Sequence, residues 1–384
     1  MKNFDFRNPT RLIFGKGCVA AKLRDALPKE ARTLLLTYGG GSIIKNGIYD
    51  EVMAQLEGLE VIPFGGIEAN PDAATLDKAI ALGREKQADF VLAVGGGSVL
   101  DGSKVISAGI PTLRHTAWEI VRSGEYDGFV PLGTVLTVPA TGSEMNRGAV
   151  ISNRALGEKF AFYSEYPSFS LLDPTYTYTL PPRQVAAGIA DTFVHIMEQY
   201  LTYPGQSGVM DRMAEGVLLN LLDFAPLRLA KDDDYDLACE YLLSATMGLN
   251  GFLGMGVEQD WATHRIGHEF TALLGITHGI SLVMIFPSLL RVMKEYKLAK
   301  VAQLGRRVFG LKGESDEELF EPTVQAIERF IRSLGLPASF KEGGVDRATG
   351  ETVARRFEER GYSLGEKGIC TPSKIRAIIE KAYE

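Results

Sequence analysis

Two copies of Gly-Gly-Gly-Ser, at Gly39–Ser42 and Gly95–Ser98, each separate a short apolar run from a stretch with helical spacing. The apolar runs, Thr33–Tyr38 and Phe90–Val94, read as buried strands, and the stretches after the loops read as helices over Ile44 to Leu56 and Val99 to Ala108. The same alternation fills the rest of the first hundred residues. Thr10–Gly15 is a strand closed by glycine, Cys18–Leu27 a helix stopped by Pro28, and Glu60–Phe64 a strand leading to a helix with Pro71 in its first turn and Lys86 at its end. Strands that alternate with helices close into βαβ units, so this part of the chain is expected to form an open, mostly parallel α/β sheet.

Shorter strand-like runs follow, at 134–138, 148–151, 159–163 and 169–172. Beyond Pro181-Pro182 the spacing becomes helical, over 183–201, 209–222, 237–249, 260–274, 280–295 and 324–333, with charged 312–321 as a solvated loop and helix start. A chain of 384 residues exceeds what one core usually organises. The expected division is an α/β dinucleotide-binding domain, 1–182, followed by an all-α helical bundle, 183–384.

That second half carries four of the five histidines. Asp191 and His195 are four apart, as are His264 and His268, so on helices each pair shares a face. Two such faces set opposite one another can hold a divalent ion. His278 lies ten residues after His268, between Gly275 and Gly279, where a tight turn can aim its ring at the same point. Ala190, Phe193, Val194, Ile196 and Met197 make the first segment apolar nearly all round, which buries Asp191 and His195, and a buried carboxylate is costly unless paired or on a metal.

Composition narrows the chemistry. The three cysteines, Cys18, Cys239 and Cys370, are isolated, so neither a thiolate cage nor a disulfide framework is available, and a metal must be held by nitrogen and oxygen. A net charge of −7 and no long basic run argue against nucleic acid as partner. No window supplies the roughly 18 to 20 apolar residues of a spanning helix, and the first residues lack the apolar core of a signal peptide. The expected setting is the cytoplasm, with no membrane partner.

Each Gly-Gly-Gly-Ser loop sits where backbone N–H groups and the positive end of a helix make an anion site. Neither matches G-x-G-x-x-G, because Ile44 and Leu100 stand at the third glycine position. Two such loops at consecutive edges of one sheet nevertheless suit a dinucleotide, one taking the pyrophosphate and the other the adenosine ribose. Asp101 and Lys104, in the first turns of the following helix, either fix the loop or touch the cofactor. Thr137 to Asn146 adds a hydroxyl-rich turn at the end of another strand.

Gly95-Gly-Gly-Ser-Val-Leu-Asp101, Pro139-Ala-Thr-Gly-Ser-Glu144, the Asp191/His195 helix and His264-x3-His268-x9-His278, taken together, resemble the iron-containing (group III) alcohol dehydrogenase family over essentially the whole chain. Thr37–Ser42 and Asp173–Pro182 look like its NADPH-dependent aldehyde reductase and butanol dehydrogenase branch. The resemblance implies that Asp191, His195, His264 and His278 hold one divalent ion, Fe²⁺ or Zn²⁺, with His268 beside the substrate as proton donor. It implies that Gly96, Gly97 and Ser98 bind pyrophosphate and that Thr137, Thr141, Asn146, Lys159 and Tyr176 touch the cofactor. Hydride transfer between NAD(P)H and a short-chain aldehyde, in a cleft between the domains, is then the expected reaction, and a homodimer the expected assembly, formed over the sheet edge near Leu12–Phe14.

The loop after Tyr38 bears on the coenzyme. An NAD-selective site usually ends the ribose-contacting strand in Asp or Glu. Here Gly39, Gly40, Gly41 and Ser42 follow, with Lys45 a turn later, which favours NADP(H). Two other readings are weighed: the same fold acting on a phosphorylated polyol or as a dehydroquinate-synthase-like enzyme, and a non-catalytic dinucleotide sensor. Arg265 is the only basic residue inside the histidine motifs, which disfavours a phosphorylated substrate, and a sensor has no use for a metal with an open position.

Overall fold

The computed structural model describes all 384 residues. They form two compact units that are not simple halves of the chain: a sheet unit of Arg7–Leu180 and Asp232–Thr246, and a helical unit of Met1–Phe6, Pro181–Lys231 and Met247–Glu384. The main division at Pro181 lies where the prolines stand. Contiguous domains were expected, but the first six residues and Asp232–Thr246 each leave their sequence neighbours for the other unit.

The strands are β1 (Arg11–Phe14), β2 (Thr33–Tyr38), β3 (Glu60–Phe64), β4 (Phe90–Gly96), β5 (Leu132–Val138), β6 (Gly148–Asn153), β7 (Glu158–Tyr163) and β8 (Phe169–Leu172). Six of them make one sheet in the order β1-β8-β5-β4-β2-β3, and every pairing is parallel. The remaining two, β6 and β7, pair as a separate antiparallel ribbon.

Helices α1 (Cys18–Ala26), α2 (Ser42–Lys45), α3 (Ile48–Ala54), α4 (Ala73–Glu85), α5 (Gly97–Gly109) and α6 (Ala117–Ser123) cover the sheet. Successive strand residues point to opposite faces. Leu34, Leu36, Leu92 and Val94 therefore pack with Val19, Leu23, Ile48 and Val52 on one side. Leu35, Val91 and Ala93 pack with Leu76, Ile80, Leu100 and Ile106 on the other. Burial on both faces is why these strands are continuously apolar.

Three local expectations change. The helix anticipated from Ile44 to Leu56 is two helices, parted by Gly47 in the left-handed region at φ 81°. Pro71 lies outside α4, whose N-cap is Asp72, with its side chain accepting from Ala74 N. The two glycine loops are not at sheet edges, because β2 and β4 are neighbours, paired Thr37 to Ala93 and Tyr38 to Val94. From β2 the chain moves outward to β3, and from β4 it moves the other way to β5. The carboxyl ends of β2 and β4 thus flank the reversal of strand order, where open α/β sheets bind ligands.

The later helices are α7 (Pro182–Tyr200), α8 (Gly208–Ala230), α9 (Tyr235–Gly248), α10 (Ala262–Leu274), α11 (His278–Val292), α12 (Lys294–Arg307), α13 (Asp316–Ser333), α14 (Phe340–Gly343), α15 (Arg347–Arg360) and α16 (Pro372–Lys381). Every residue of α7 from Val185 to Tyr200 is buried, so it is the axis of the helical unit. Helix α8 continues to Ala230 through Pro226, beyond the anticipated end at Leu222. The charged helices α12 and α15 were not anticipated. No helix is long and apolar enough to cross a membrane.

Candidate metal centre and dinucleotide site

Asp191 and His195 project from α7, His264 and His268 from α10, and His278 from the first position of α11 rather than from a turn. The Asp191 carboxylate is the focus. Its Oδ1 lies 3.7 Å from His195 Nε2, 3.9 Å from His264 Nε2 and 3.8 Å from His278 Nε2. The donor atoms of Asp191, His195 and His264 all lie within 4.8 Å of one another, and all three residues are buried. The His195 and His264 rings stack at 4.7 Å, while the His278 ring meets that of His264 at 5.3 Å and 62°.

These separations are too long for N–H···O bonds and close to the roughly 3.4 Å between neighbouring ligands of a tetrahedral ion with bonds of about 2.1 Å. One carboxylate oxygen and three imidazole nitrogens form a donor set that suits a first-row divalent ion, and the residues therefore fit the metal. The ring of His268 lies 5.1 Å from that of His278 and 6.3 Å from that of His264, nearly perpendicular to the latter.

Glycine sets the approach of α11. Gly275 ends α10 in the left-handed region at φ 66°, as the sequence suggested, but Gly279 does something else: a Cβ there would overlap the Ala187 carbonyl oxygen of α7. Only glycine lets the first turn of α11 meet α7 closely enough to bring His278 to Asp191.

Glu198 escaped the sequence reading. It lies on α7 three residues after His195 and is buried, with its carboxylate bonded to His264 Nδ1, to Thr263 N at 2.6 Å and to His264 N at 3.3 Å. Burial raises its carboxyl above the usual carboxylate range, with the Asp260 carboxylate adding to the effect. The signal was available: Asp191, His195 and Glu198 are three ionisable groups on one face of a largely apolar helix. Trp261 was also missed. It takes the left-handed conformation at φ 62°, rare for so bulky a residue, and sets its indole edge-on to His264 at 5.1 Å.

In the sheet unit the last two residues of β4 are Gly95 and Gly96, and α5 opens at Gly97 with no side-chain cap on its first N–H groups. That leaves them to an anion. The β4–β5 register slips there, Gly95 pairing with Leu136 and Gly96 with Val138, so Thr137 is the extra residue of a bulge beside the loop. The Thr141 side chain lies over Gly97, where a Cβ would come within 2.5 Å of its Oγ1. Asn70, at φ 56°, donates its N–H to Ser98 Oγ at 3.3 Å and accepts Lys159 Nζ at 2.9 Å, so Lys159 is brought to the same place. Gly39 stands against this helix start, its Cβ position 3.6 Å from Val99 Cγ2.

Other predicted contacts turn inward. Asp101 accepts Ser143 Oγ at 2.6 Å and Val150 N at 2.8 Å. Lys104, fully buried, donates to Ser143 Oγ at 2.7 Å, Asn146 Oδ1 at 3.1 Å and Gly148 O at 2.6 Å. Asn146 also donates to Gly142 O at 2.8 Å. These three brace the 137–148 segment that presents Thr137 and Thr141. Burial pushes the Asp101 carboxyl up and the Lys104 ammonium down to about 8. Tyr176 lies on the other face of the sheet and donates to Glu51 at 2.8 Å, so it braces α3.

Comparison with known proteins decides between the readings. Residues 9–174 match the family described as "Iron-containing alcohol dehydrogenase", and residues 185–383 match "Fe-containing alcohol dehydrogenase family, C-terminal". The chain belongs to the iron-containing alcohol dehydrogenase family. Among curated members it is 45% identical to the NADPH-dependent aldehyde reductase YqhD of Escherichia coli over all of both chains. It is 34% identical, again over all of both, to the NADH-dependent butanol dehydrogenase A of Clostridium acetobutylicum. The crystal structure of Escherichia coli YqhD superposes with a TM-score of 0.96 at 44% identity, covering 99% of each chain. That of the NADH-dependent butanol dehydrogenase A of Thermotoga maritima gives 0.94 at 32% identity, covering 100% of this chain and 99% of the other. Members of the family this similar differ in the nicotinamide coenzyme that they carry in their names.

Proposed function

We propose that the protein is an NADP(H)-preferring, metal-dependent aldehyde reductase, interconverting short-chain aldehydes and primary alcohols. The observation that carries this is the ring of three imidazole nitrogens 3.7 to 3.9 Å from the buried Asp191 Oδ1, in a member of this family. Asp191, His195, His264 and His278 would hold the ion. Bound there, Fe²⁺ or Zn²⁺ supplies Lewis-acid polarisation of a carbonyl oxygen.

The rest falls to the chain's own side chains. Gly97 and Ser98 offer uncapped N–H groups to the pyrophosphate, with Thr141 and Lys159 beside them. Thr137, in the bulge, is held within reach of the same cofactor by the braced segment. A nicotinamide cofactor bound there would supply hydride to the carbonyl carbon, and the carbonyl oxygen would then need a proton. His268 stands one turn beyond His264 on α10, its ring 5.1 Å from that of His278, and we assign it as donor, directly or through water. The remaining parts of the proposal are a cytoplasmic setting and a homodimer formed over β1, which ends the six-stranded sheet. Sedimentation showing only a 41.9 kDa species at micromolar concentration removes the dimer.

NADPH consumption against C2 to C6 aldehydes, with and without a chelator, tests the whole. The expected result is turnover that chelation abolishes and that added Fe²⁺ or Zn²⁺ restores. His264→Ala should fold but lose metal and activity together. Full turnover in that variant removes the metal from the reaction.

A further inference from the structure

We propose that Glu198 is a positioning residue of the metal centre: its carboxylate holds the His264 ring as the Nδ1–H form and so aims Nε2 at the point faced by Asp191. The inference rests on the metal reading above and extends it to a residue outside the four ligands.

One carboxylate secures both the backbone and the ring of a ligand. Its oxygens take the N–H groups of Thr263 and His264, in the first turn of α10, and His264 Nδ1. A neutral imidazole has a single N–H, and a metal needs the lone pair at Nε2. The proton must therefore sit at Nδ1, where an acceptor is required. Trp261 also meets this ring, edge-to-face at 5.1 Å between centroids.

The support extends deeper. Glu198 O accepts Asp260 N at 2.8 Å, and Asp260 Oδ1 accepts Ala262 N at 2.9 Å. Asp260 Oδ2 accepts Lys297 Nζ at 2.6 Å, and that lysine, fully buried, also donates to Leu201 O at 2.7 Å. Residues 260–264 are thus fastened to α7 and α12, and Glu198 is where this fastening meets the ring.

The test is metal binding by the metal-free protein, titrated with Zn²⁺ against a chromogenic chelator and with Co²⁺ read by visible absorption. Glu198→Gln keeps the size but loses the charge and cannot accept at both oxygens. We expect it to bind Zn²⁺ about 10- to 100-fold more weakly, with an altered Co²⁺ spectrum. In a His264→Ala background, titrated to Zn²⁺ concentrations that fill the weakened site left by the three remaining ligands, no ring remains to be held, and the same change should alter affinity by less than about 2-fold. In a His195→Ala background its full effect should persist. Glu198→Asp, which keeps the charge on a shorter arm, serves if the glutamine variant does not fold, and should bind with intermediate affinity. Wild-type affinity in Glu198→Gln overturns the proposal, as does an equal loss with and without His264, which marks general damage. The metal reading itself fails separately, if the wild type binds no divalent ion or His264→Ala binds as well as the wild type.

Discussion

Gly279 rests directly on the Ala187 carbonyl, and a methyl group at Gly279 would also crowd the Asp191 amide nitrogen at 3.1 Å. The contact joins the residue after one proposed ligand to the helix that carries two others. Gly279→Ala must push α11 from α7, and overpacking of this kind costs about 1 to 3 kcal/mol. His278 moves with the helix, so the metal should suffer more than the fold. The expected outcome is a folded protein with metal content and kcat at least tenfold down, recovered in part at high metal concentration. Wild-type metal content in this variant would show that the close approach does not place His278.

The buried lysine of the sheet unit gives a prediction with a pH signature. Lys104→Met leaves Ser143, Asn146 and Gly148 without their cation and loosens the segment holding Thr137 and Thr141, so KM for the coenzyme should rise at least tenfold while metal content is unchanged. An unfolded lysine keeps its proton up to about 10.5, whereas burial makes this one release it near pH 8. Between those values the unfolded chain binds more protons, and this residue's contribution to stability rises with pH by about 1.4 kcal/mol per unit. Below pH 8 both states are protonated and the slope vanishes. Melting of the wild type relative to Lys104→Met should therefore be flat from pH 6 to 8 and climb toward pH 10. A flat difference throughout rejects the assignment.

His268→Ala separates a proton donor from a residue that merely orients a ligand. As the donor, its loss should lower kcat for aldehyde reduction about 10²- to 10⁴-fold with metal affinity unchanged. As an orienting group, it would lower metal affinity instead. Metal content and single-turnover hydride transfer, measured on the same preparation, tell the two apart.

What could be read in the sequence was what periodicity and residue chemistry encode locally. Doubly buried strands such as Leu34–Leu36 and Val91–Val94 announce themselves as apolar runs, and Asp191, His195, His264 and His278 are recognisable by type and spacing. Glu198 was harder, because a glutamate three residues past a histidine gains meaning only when α10 brings His264 Nδ1 to it. Asp101 was ambiguous, and Asn146 was expected at the cofactor, for a related reason: whether such residues meet a ligand or bond inward depends on the β6 backbone for Asp101 and on Lys104 for Asn146, each more than 40 residues away. Gly279 looked like a turn and is a close approach, since its neighbour Ala187 is supplied by another helix. Charged α12 and α15 were missed because their apolar positions are few, and packing in the helical unit rather than local pattern makes them helical.

The coenzyme is the last and sharpest prediction, because near relatives bear names that divide between NADPH and NADH. β2 ends at Tyr38, beside the end of β4, and the loop that follows offers glycines and Ser42 where an NAD-selective site places an acid. No acid stands there to repel a 2′-phosphate. Lys45, exposed and a turn further on, adds an attractive charge, and charge-assisted bonds of ~1.5 to 3 kcal/mol each would favour NADPH by one to two decades or more in kcat/KM. Gly39→Asp should shrink or reverse that ratio mainly by weakening NADPH. A side chain at this position would stand 3.3 Å from Ile67 O, so packing also changes there, whereas at Gly40 a Cβ meets nothing within 4 Å. Gly40→Asp is therefore the cleaner variant: KM for NADPH should rise at least tenfold, with KM for NADH and kcat little changed. Equal use of the two coenzymes by the wild type, or an unaltered ratio in both variants, would show that this loop does not read the 2′-phosphate.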